Sequence, residues 1–294
     1  MSAFFATLGQ TFKHATENSY LWSPKTKSNG ATNIFYENMQ LIHPGDLVFA
    51  YSGTKIKAIG IASSFAEESE KPEGYEKNWS SVGWKVYVDF INLKEPFRLI
   101  ESAEEFKDLL PNSSESPINP NTGRGYEGRY LAQIDEGFSN YLLERSGLSE
   151  IISKGRGRDE TFSKKNKITQ KEATVLQRVG QQIFRKELMT KHGGKCQLTG
   201  VNIPELLIAS HIKPWASSSN DERLDVNNGL LLVRDVDALF DKGLLSFSDN
   251  GDVIFIRKEI EEYFNTKNLS KKIMGMPEGS KNYLDFHRTK FGYD

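Results

Sequence analysis

The chain has 294 residues, of which 37% are hydrophobic and 26% charged, and its mean hydropathy is −0.53. This length suits two compact domains, and no apolar run approaches the length of a membrane-spanning helix. The single cysteine, Cys196, excludes an intrachain disulfide framework, and the N-terminus lacks the basic and apolar regions of a secretion signal, so a cytoplasmic location is expected.

Charge is divided unevenly along the chain. The net charge of −1 gives no support to nucleic-acid binding by itself. However, residues 1–150 hold 14 basic and 20 acidic residues, whereas residues 151–294 hold 24 and 19. The second half is therefore the half expected to meet a phosphate backbone.

The first part of the chain is rich in predicted strands. β-Branched and aromatic runs at 3–7, 46–51, 56–62 and 84–90 are separated by Gly, Pro and Asn. They predict a small curled sheet.

The order of these runs, followed by the glycine-, arginine- and tyrosine-bearing segment 123–131, resembles the EVE branch of the PUA-like pseudo-barrels, which read modified bases. The resemblance implies an aromatic-lined pocket for a base flipped out of the duplex. The aromatic candidates for this pocket are Trp22, Tyr36, Tyr51, Trp79 and Trp84. Trp22 and Trp79 are preferred because their sequence surroundings are polar and loop-like; the alternative for each aromatic residue is a place in the core.

Residues 146–170 lose apolar periodicity and gain glycine, serine and charge. This change predicts a flexible basic linker between a domain at 1–145 and a domain at 171–294. The candidate contacts to a DNA backbone are Lys164, Lys165 and Lys167 in the linker and Lys213 beyond it. The alternative for the linker lysines is a solvated connection without a ligand.

The second domain is predicted to open with a long helix at 171–191 and to continue as strand, strand and helix. A strand ends at His211, which can take a proton from water because an imidazole is largely neutral at cellular pH. Asn228, at the head of the apolar strand 230–233, can hold the loop that carries the histidine and fix which ring nitrogen is free. Asp237, near the start of the next helix, offers a hard carboxylate suited to Mg²⁺. The set suits phosphodiester hydrolysis.

Three phrases in this region, SHIKPW, NGLLL and DALFDKGLLSF, resemble the HNH, or ββα-metal, endonucleases. The resemblance implies that His211 is the general base, that Asn228 orients it and that Asp237 binds Mg²⁺ or Mn²⁺. Ser210 stands where many of these enzymes place a metal ligand, so another carboxylate such as Asp241 is expected to complete the site. Asp237 replaces the last histidine of the family name. One cysteine cannot build the four-cysteine zinc site of many HNH domains, so no structural zinc is expected.

The fold expected is α+β, with an N-terminal PUA/EVE-like β pseudo-barrel carrying short helices and a C-terminal HNH domain. The function expected is a DNA endonuclease that recognises 5-methyl- or 5-hydroxymethylcytosine in double-stranded DNA and acts as a homodimer, preformed or assembled on DNA. Two alternatives stay open at this stage. One is an HNH restriction endonuclease that reads unmodified sequence, and the other is a nucleic-acid-binding protein with a degenerate nuclease domain.

Overall fold

The computed structural model describes residues 2–75, 79–112, 114–148, 170–267 and 269–293. Its contacts divide the chain into two compact units, and the division falls between Val179 and Gly180. The described residues of the first unit are those up to 148 together with 170–179, and those of the second are 180–293. Within the described ranges, no helix has both the length and the apolar character that a membrane crossing requires.

The first unit is built on seven strands, with short helices between them. The strands are β1 (Ala3–Thr7), β2 (Tyr20–Pro24), β3 (Leu47–Ser52), β4 (Lys55–Ala62), β5 (Glu67–Glu70), β6 (Val82–Arg98) and β7 (Leu131–Ile134). The helices are α1 (Phe12–Asn18), α2 (Ile34–Glu37), α3 (Ala103–Phe106) and α4 (Glu136–Arg145).

These seven strands form one curled sheet in the order β2, β6, β4, β3, β1, β7, with β5 also paired to β6. The long strand β6 produces the curl, because Gly83 to Tyr87 pair with β2 whereas Val88 to Arg98 pair with β4. The β4 to β6 pairing shifts register between Ile56 and Ala58, and such irregularities increase the bend of a strand. All pairs are antiparallel except β1 with β3.

The concave side of the curl is filled by apolar side chains from most of the strands. Phe4 and Ala6 of β1, Val48 of β3 and Leu21 of β2 are fully buried in one cluster. Alternate residues of a strand point to the same face, which is why these positions meet. The first unit is therefore a half-barrel with its own hydrophobic core.

The second unit contains shorter strands and longer helices. Its strands are β8 (Leu207–His211), β9 (Gly229–Val233), β10 (Leu245–Phe247) and β11 (Val253–Phe255). Its helices are α6 (Asn220–Leu224), α7 (Arg234–Asp241), α8 (Lys258–Thr266) and α9 (Lys281–Phe291), and the end of α5 (Gln170–Lys191) also belongs to it.

Strands β8 and β9 pair antiparallel, from Leu207 opposite Val233 to His211 opposite Gly229, and α7 follows β9 directly. The pair packs on a core that includes Leu230, Leu232 and Val236. This is the ββα arrangement predicted from the sequence. The expected mixed α+β class, with a curled N-terminal β structure and a C-terminal ββα unit, is confirmed.

Candidate functional site

His211 ends β8, and its ring is held between aromatic side chains. The Phe184 ring of α5 is stacked on it with centroids 3.8 Å apart, and the Trp215 ring meets it edge-on at 5.6 Å. Gly229, opposite His211 in the strand pair, lies so near Phe184 that a Cβ there would come within 2.5 Å of the ring. The close approach of β9 to α5 thus confines the half-buried imidazole to one orientation.

The two ring nitrogens of His211 are distinguished by one hydrogen bond. Nε2 lies 2.9 Å from the main-chain oxygen of Arg223. Because a carbonyl oxygen only accepts, Nε2 carries the proton of the neutral ring and Nδ1 is the basic nitrogen. Burial lowers the pKa of His211 below its ordinary value, so the ring is neutral at cellular pH.

Arg223 is itself held in place. Its Nε donates to the main-chain oxygen of Trp215 at 3.1 Å, and its guanidinium carbon lies 5.2 Å from the centre of the Trp215 ring. Trp215 therefore contacts both His211 and the residue that orients His211. The tryptophan and the arginine were not among the predicted site residues, although Trp215 lies within the SHIKPW phrase.

Asn228 is completely buried, and its amide spans the loop between His211 and α6. Its Oδ1 accepts a hydrogen bond from the Lys213 main-chain nitrogen at 2.7 Å, and its Nδ2 donates one to the Glu222 main-chain oxygen at 2.9 Å. The amide thus lies where the sequence prediction placed it, on the loop beside the histidine. The second part of that prediction requires correction, because the Arg223 carbonyl and not Asn228 selects the free nitrogen.

Asp237 lies in the first turn of α7 beside the strand that carries the histidine. Its carboxylate lies near the side chain of Ser210, the residue before His211. Burial raises the pKa of Asp237, and the negative charge of Asp241, one helical turn further on, raises it too, whereas the nearby Ser210 hydroxyl opposes the shift. Ser210, Asp237 and Asp241 are therefore neighbours.

These three side chains provide the donor set against which a metal can be tested. All of their donor atoms are oxygens, which suits a hard cation such as Mg²⁺ or Mn²⁺. The two adjacent carboxylates also repel each other, and a cation would relieve this repulsion. The residues fit an oxygen-bound divalent cation, although among the described residues no cluster unites three or more His, Cys, Asp or Glu side chains.

Of the four lysines predicted to contact DNA, the structure describes one, Lys213. The Lys213 ammonium lies 2.7 and 2.8 Å from the two carboxylate oxygens of Glu222, and this pairing lowers the pKa of Glu222. Lys213 therefore binds Glu222 within its own loop, and its contact with a phosphate stays a prediction. Lys164, Lys165 and Lys167, with most of the predicted linker, lie outside the described residues.

A second candidate site is a cavity of about 850 Å³ in the first unit. Two of the five predicted aromatic residues, Tyr36 and Trp79, line it. Tyr126, Arg129 and Tyr130, from the segment that follows the predicted sheet, also line it. The alternation of tyrosine, arginine and glycine in that segment was the available sequence signal for these three residues.

The other three predicted aromatic residues do not line this cavity. The prediction that Trp22 lies in a loop is wrong, because Trp22 lies in β2 and is fully buried. Its ring is stacked on the Trp79 ring, with the centroids 6.1 Å apart. Tyr51 is buried in β3, and its hydroxyl donates to the Gly123 carbonyl. Trp84 lies in β6 with the Lys25 ammonium 4.4 Å from the centre of its ring.

Comparison with known proteins identifies one segment of the second unit. Residues 196–248 match the family model described as HNH endonuclease, a span that contains Ser210, His211, Asn228, Asp237 and Asp241. This segment is an HNH endonuclease domain. The curated proteins contain no match to the chain.

Three solved structures show weak overall similarity. Protein Atu2648 from Agrobacterium tumefaciens is 16% identical, with 50% of this chain and 94% of that chain covered and a TM-score of 0.31. The Pho92 YTH domain in complex with m6A is 12% identical, with 49% and 85% covered and a TM-score of 0.32. Protein PSPTO5229 from Pseudomonas syringae is 10% identical, with 49% and 99% covered and a TM-score of 0.32. The HNH domain, in contrast, is identified by its sequence.

Proposed function

We propose that the protein is a divalent-metal-dependent DNA endonuclease that cuts DNA carrying a modified cytosine. The observation that carries the nuclease part is the arrangement of His211 in the HNH domain. Its Nε2 is committed to the Arg223 carbonyl, and the residue before it, Ser210, lies near Asp237. The proposed proton acceptor and one member of the proposed ligand set are thus consecutive residues at the end of one strand.

In this proposal His211 Nδ1 takes the proton of the water that attacks phosphorus. Phe184 and Trp215 hold the imidazole ring during this transfer, and Asn228 keeps the loop around it closed. Asp237 and Asp241, with Ser210, would hold the divalent cation. When bound, that cation would neutralise negative charge that develops on the leaving oxygen.

The reading part of the proposal is supported by the cavity in the first unit. A base that has left the duplex needs an aromatic face for stacking and polar groups for its edge. Trp79 provides such a face, since it is only partly buried and is backed by the fully buried Trp22. The Tyr126 to Tyr130 loop beside it is fixed to α2 by a hydrogen bond of 2.8 Å from Asn33 Nδ2 to the Gly128 oxygen.

A parallel digest tests the proposal. One DNA fragment is prepared unmodified, with 5-methylcytosine, with 5-hydroxymethylcytosine and with N6-methyladenine, and each is incubated with Mg²⁺ or Mn²⁺. Cleavage confined to the cytosine-modified fragments, and absent with chelator, is the expected result. Equal cutting of the unmodified fragment would contradict modification dependence, and an enzyme that reads unmodified sequence would then be favoured.

A specific observation favours a second candidate function. The two carboxylates and one hydroxyl around Asp237 are a small ligand set, and Ser210 stands where many HNH enzymes have a stronger ligand. A nucleic-acid-binding protein with an inactive HNH domain would bind modified DNA without cutting it at any concentration of Mg²⁺ or Mn²⁺. The same digest, with binding measured beside it, separates the two functions.

The proposed active form is a homodimer, preformed or assembled on DNA. One His211 hydrolyses one strand at a time, and two identical chains related by a two-fold axis match the two strands of a duplex. Light scattering of the protein alone and on DNA tests this form. A monomer on DNA that accumulates only nicked circles would contradict the dimer without affecting the role of His211.

A further inference from the structure

The cavity of the first unit is larger than the proposed ligand requires. Its volume is about 850 Å³, which lies in the upper part of the roughly 300–1,000 Å³ range that accommodates drug-sized ligands. A 5-methylcytosine base stacked on Trp79 is much smaller than such a ligand. The flipped nucleotide's backbone and a large substituent on its base are the two parts of the ligand that could fill the remaining space.

The chemistry of the lining favours one of these two occupants. Lysine and arginine neutralise the phosphates that a protein binds, whereas most of the polar side chains here are uncharged and could contact a phosphate only by hydrogen bonds. The uncharged polar side chains that line the cavity are Thr7, Gln10, Thr11, Thr26 and Ser28. They come from the end of β1, the turn before α1 and the segment that follows β2.

Charged groups are few among the residues that line the cavity. The Arg129 guanidinium lies 4.0 Å from the centre of the Tyr126 ring and donates to the Ser116 main-chain oxygen. Lys27 lines the cavity together with Glu127, which carries the opposite charge. These lining residues are therefore only weakly basic, whereas a surface that follows a DNA backbone is expected to be strongly basic.

One polar atom in the wall has no partner. The Thr7 hydroxyl oxygen is buried, and within the described part of the chain it has no hydrogen-bond partner. A buried hydroxyl without a partner costs stability. Its neighbour across the wall is Gly125, where a Cβ would lie 2.8 Å from the Thr7 methyl carbon.

From this volume and lining, and on the basis of the proposed function, we infer that the cavity takes a cytosine carrying a bulky, uncharged, hydroxyl-rich substituent of about the size of a sugar. The base stacks on Trp79. The substituent extends past the hydroxyl and amide groups of Thr26, Ser28 and Gln10 toward the cavity mouth, where Gln10 and Ser28 are exposed. Aromatic faces and uncharged polar side chains are the groups that bind such a substituent.

Binding is tested with the full chain carrying His211→Ala, so that cleavage does not disturb the measurement. Fluorescent duplexes contain one central cytosine that is unmodified, 5-methylated, 5-hydroxymethylated or glucosylated on the 5-hydroxymethyl group. The glucosylated duplex is expected to bind at least about tenfold more tightly than the methylated one, a difference of about 1.4 kcal/mol. Methylated or hydroxymethylated DNA binding as tightly as the glucosylated DNA, and more tightly than unmodified DNA, would overturn the inference and leave the proposed function intact.

Two variants with a large side chain in the cavity wall provide a second test, which compares the preference between two DNAs and does not depend on absolute affinity. Gln10→Trp and Ser28→Trp, on different elements of the wall, should each reduce the preference for glucosylated over methylated DNA by at least about fivefold. Lys13→Trp, which adds the same bulk at a side chain that is 83% exposed, is the control and should keep the preference. A preference that survives both filling variants would overturn the inference. Four duplexes bound with equal affinity would instead remove the proposed reading function itself.

Discussion

Nε2 of His211 lies 2.9 Å from the main-chain oxygen of Arg223, so a backbone carbonyl determines which nitrogen of the proposed general base is free. The carbonyl is positioned by the Arg223 side chain, which is bonded to Trp215 and stacked on its ring. The ring that the carbonyl orients is in turn stacked on Phe184. Orientation of the base is therefore a property of the folded loop and does not require substrate.

Replacement of His211 by alanine is expected to reduce cleavage by about 10²- to 10⁴-fold, because transfer of a proton by a positioned side chain contributes a factor of this size. Binding of DNA should change little, since the cavity proposed to bind the base belongs to the other unit. Single-turnover cleavage and binding are measured on the same preparation.

The control for this change is His43→Ala, since His43 is an exposed histidine of the first unit. It should cleave at the wild-type rate. The His211→Ala protein must also melt as a folded protein, because the change removes a ring that packs on Phe184. A folded His211→Ala protein that cuts normally would remove His211 as the base.

Asp237→Asn should reduce cleavage and raise the concentration of Mg²⁺ or Mn²⁺ that gives half-maximal activity. The amide retains one oxygen but loses the charge that attracts a hard cation. Asp235→Asn is the matched control, because Asp235 lies in the same first turn of α7 and is exposed. If the two variants show the same metal dependence as the wild type, Asp237 has a structural role.

Trp79→Ala and Trp22→Ala should have different consequences, although the two rings are stacked on each other. Loss of the cavity-lining Trp79 should weaken binding of modified DNA by about 1–3 kcal/mol, the usual cost of losing one stacking face for a base. Loss of the fully buried Trp22 should destabilise the first unit by about 3–5 kcal/mol. Trp84→Ala, outside the cavity, is the binding control.

Binding titrations and urea denaturation measure the two effects separately. An equal loss of affinity for modified and unmodified DNA in Trp79→Ala would place Trp79 in the core and not in a base pocket. A stable Trp22→Ala protein would contradict the burial argument.

The sequence predicts those parts of the molecule that follow from local periodicity. Strands β8 and β9 and the helix after them were predictable because apolar runs end at the polar residues His211 and Asn228 and the next segment opens with acids. The contact between His211 and Arg223 was not predictable, because every residue carries a carbonyl oxygen and only the path of the loop selects one of them. Trp22 was misassigned because Ser23, Pro24 and Lys25 are typical of loops, whereas pairing with β6 makes this segment a strand.

His287 is expected to make the stability of the second unit depend on pH. The residue is 2% exposed, and its ring is stacked on the Phe240 ring with the centroids 4.0 Å apart. Nε2 lies 3.0 Å from the Phe240 carbonyl oxygen, so Nε2 donates and Nδ1 accepts from the Ser246 hydroxyl at 3.0 Å. This network is complete only in the neutral ring, and burial lowers the pKa of His287 from 6.5 to about 4.

The sign of the effect follows from the number of protons bound in each state. Between pH 6.5 and about 4 the unfolded chain protonates His287 and the folded chain does not, so the free energy of unfolding falls as the pH falls through this window. The group contributes on the order of 3 kcal/mol above pH 6.5, because one pKa unit corresponds to about 1.4 kcal/mol. Below about pH 4 His287 is protonated in both the folded and the unfolded chain, so it no longer contributes to the free energy of unfolding, and further acidification causes no additional loss from this group.

Hydrogen exchange at the α9 amides, measured at several values between pH 4 and 7 and corrected for intrinsic exchange rates, reports this stability within the second unit. His287→Phe keeps an aromatic ring but has no group that titrates. It should be less stable than the wild type at pH 7, since the Ser246 hydroxyl and the Phe240 carbonyl lose a partner, and it should lose less stability on acidification. Carboxylates that do not interact with His287 affect both proteins equally, so the difference between them reports His287 together with its neighbour Asp241. Identical pH dependence in the two proteins would show that the ring is already charged in the folded state or is not linked to the stability of α9.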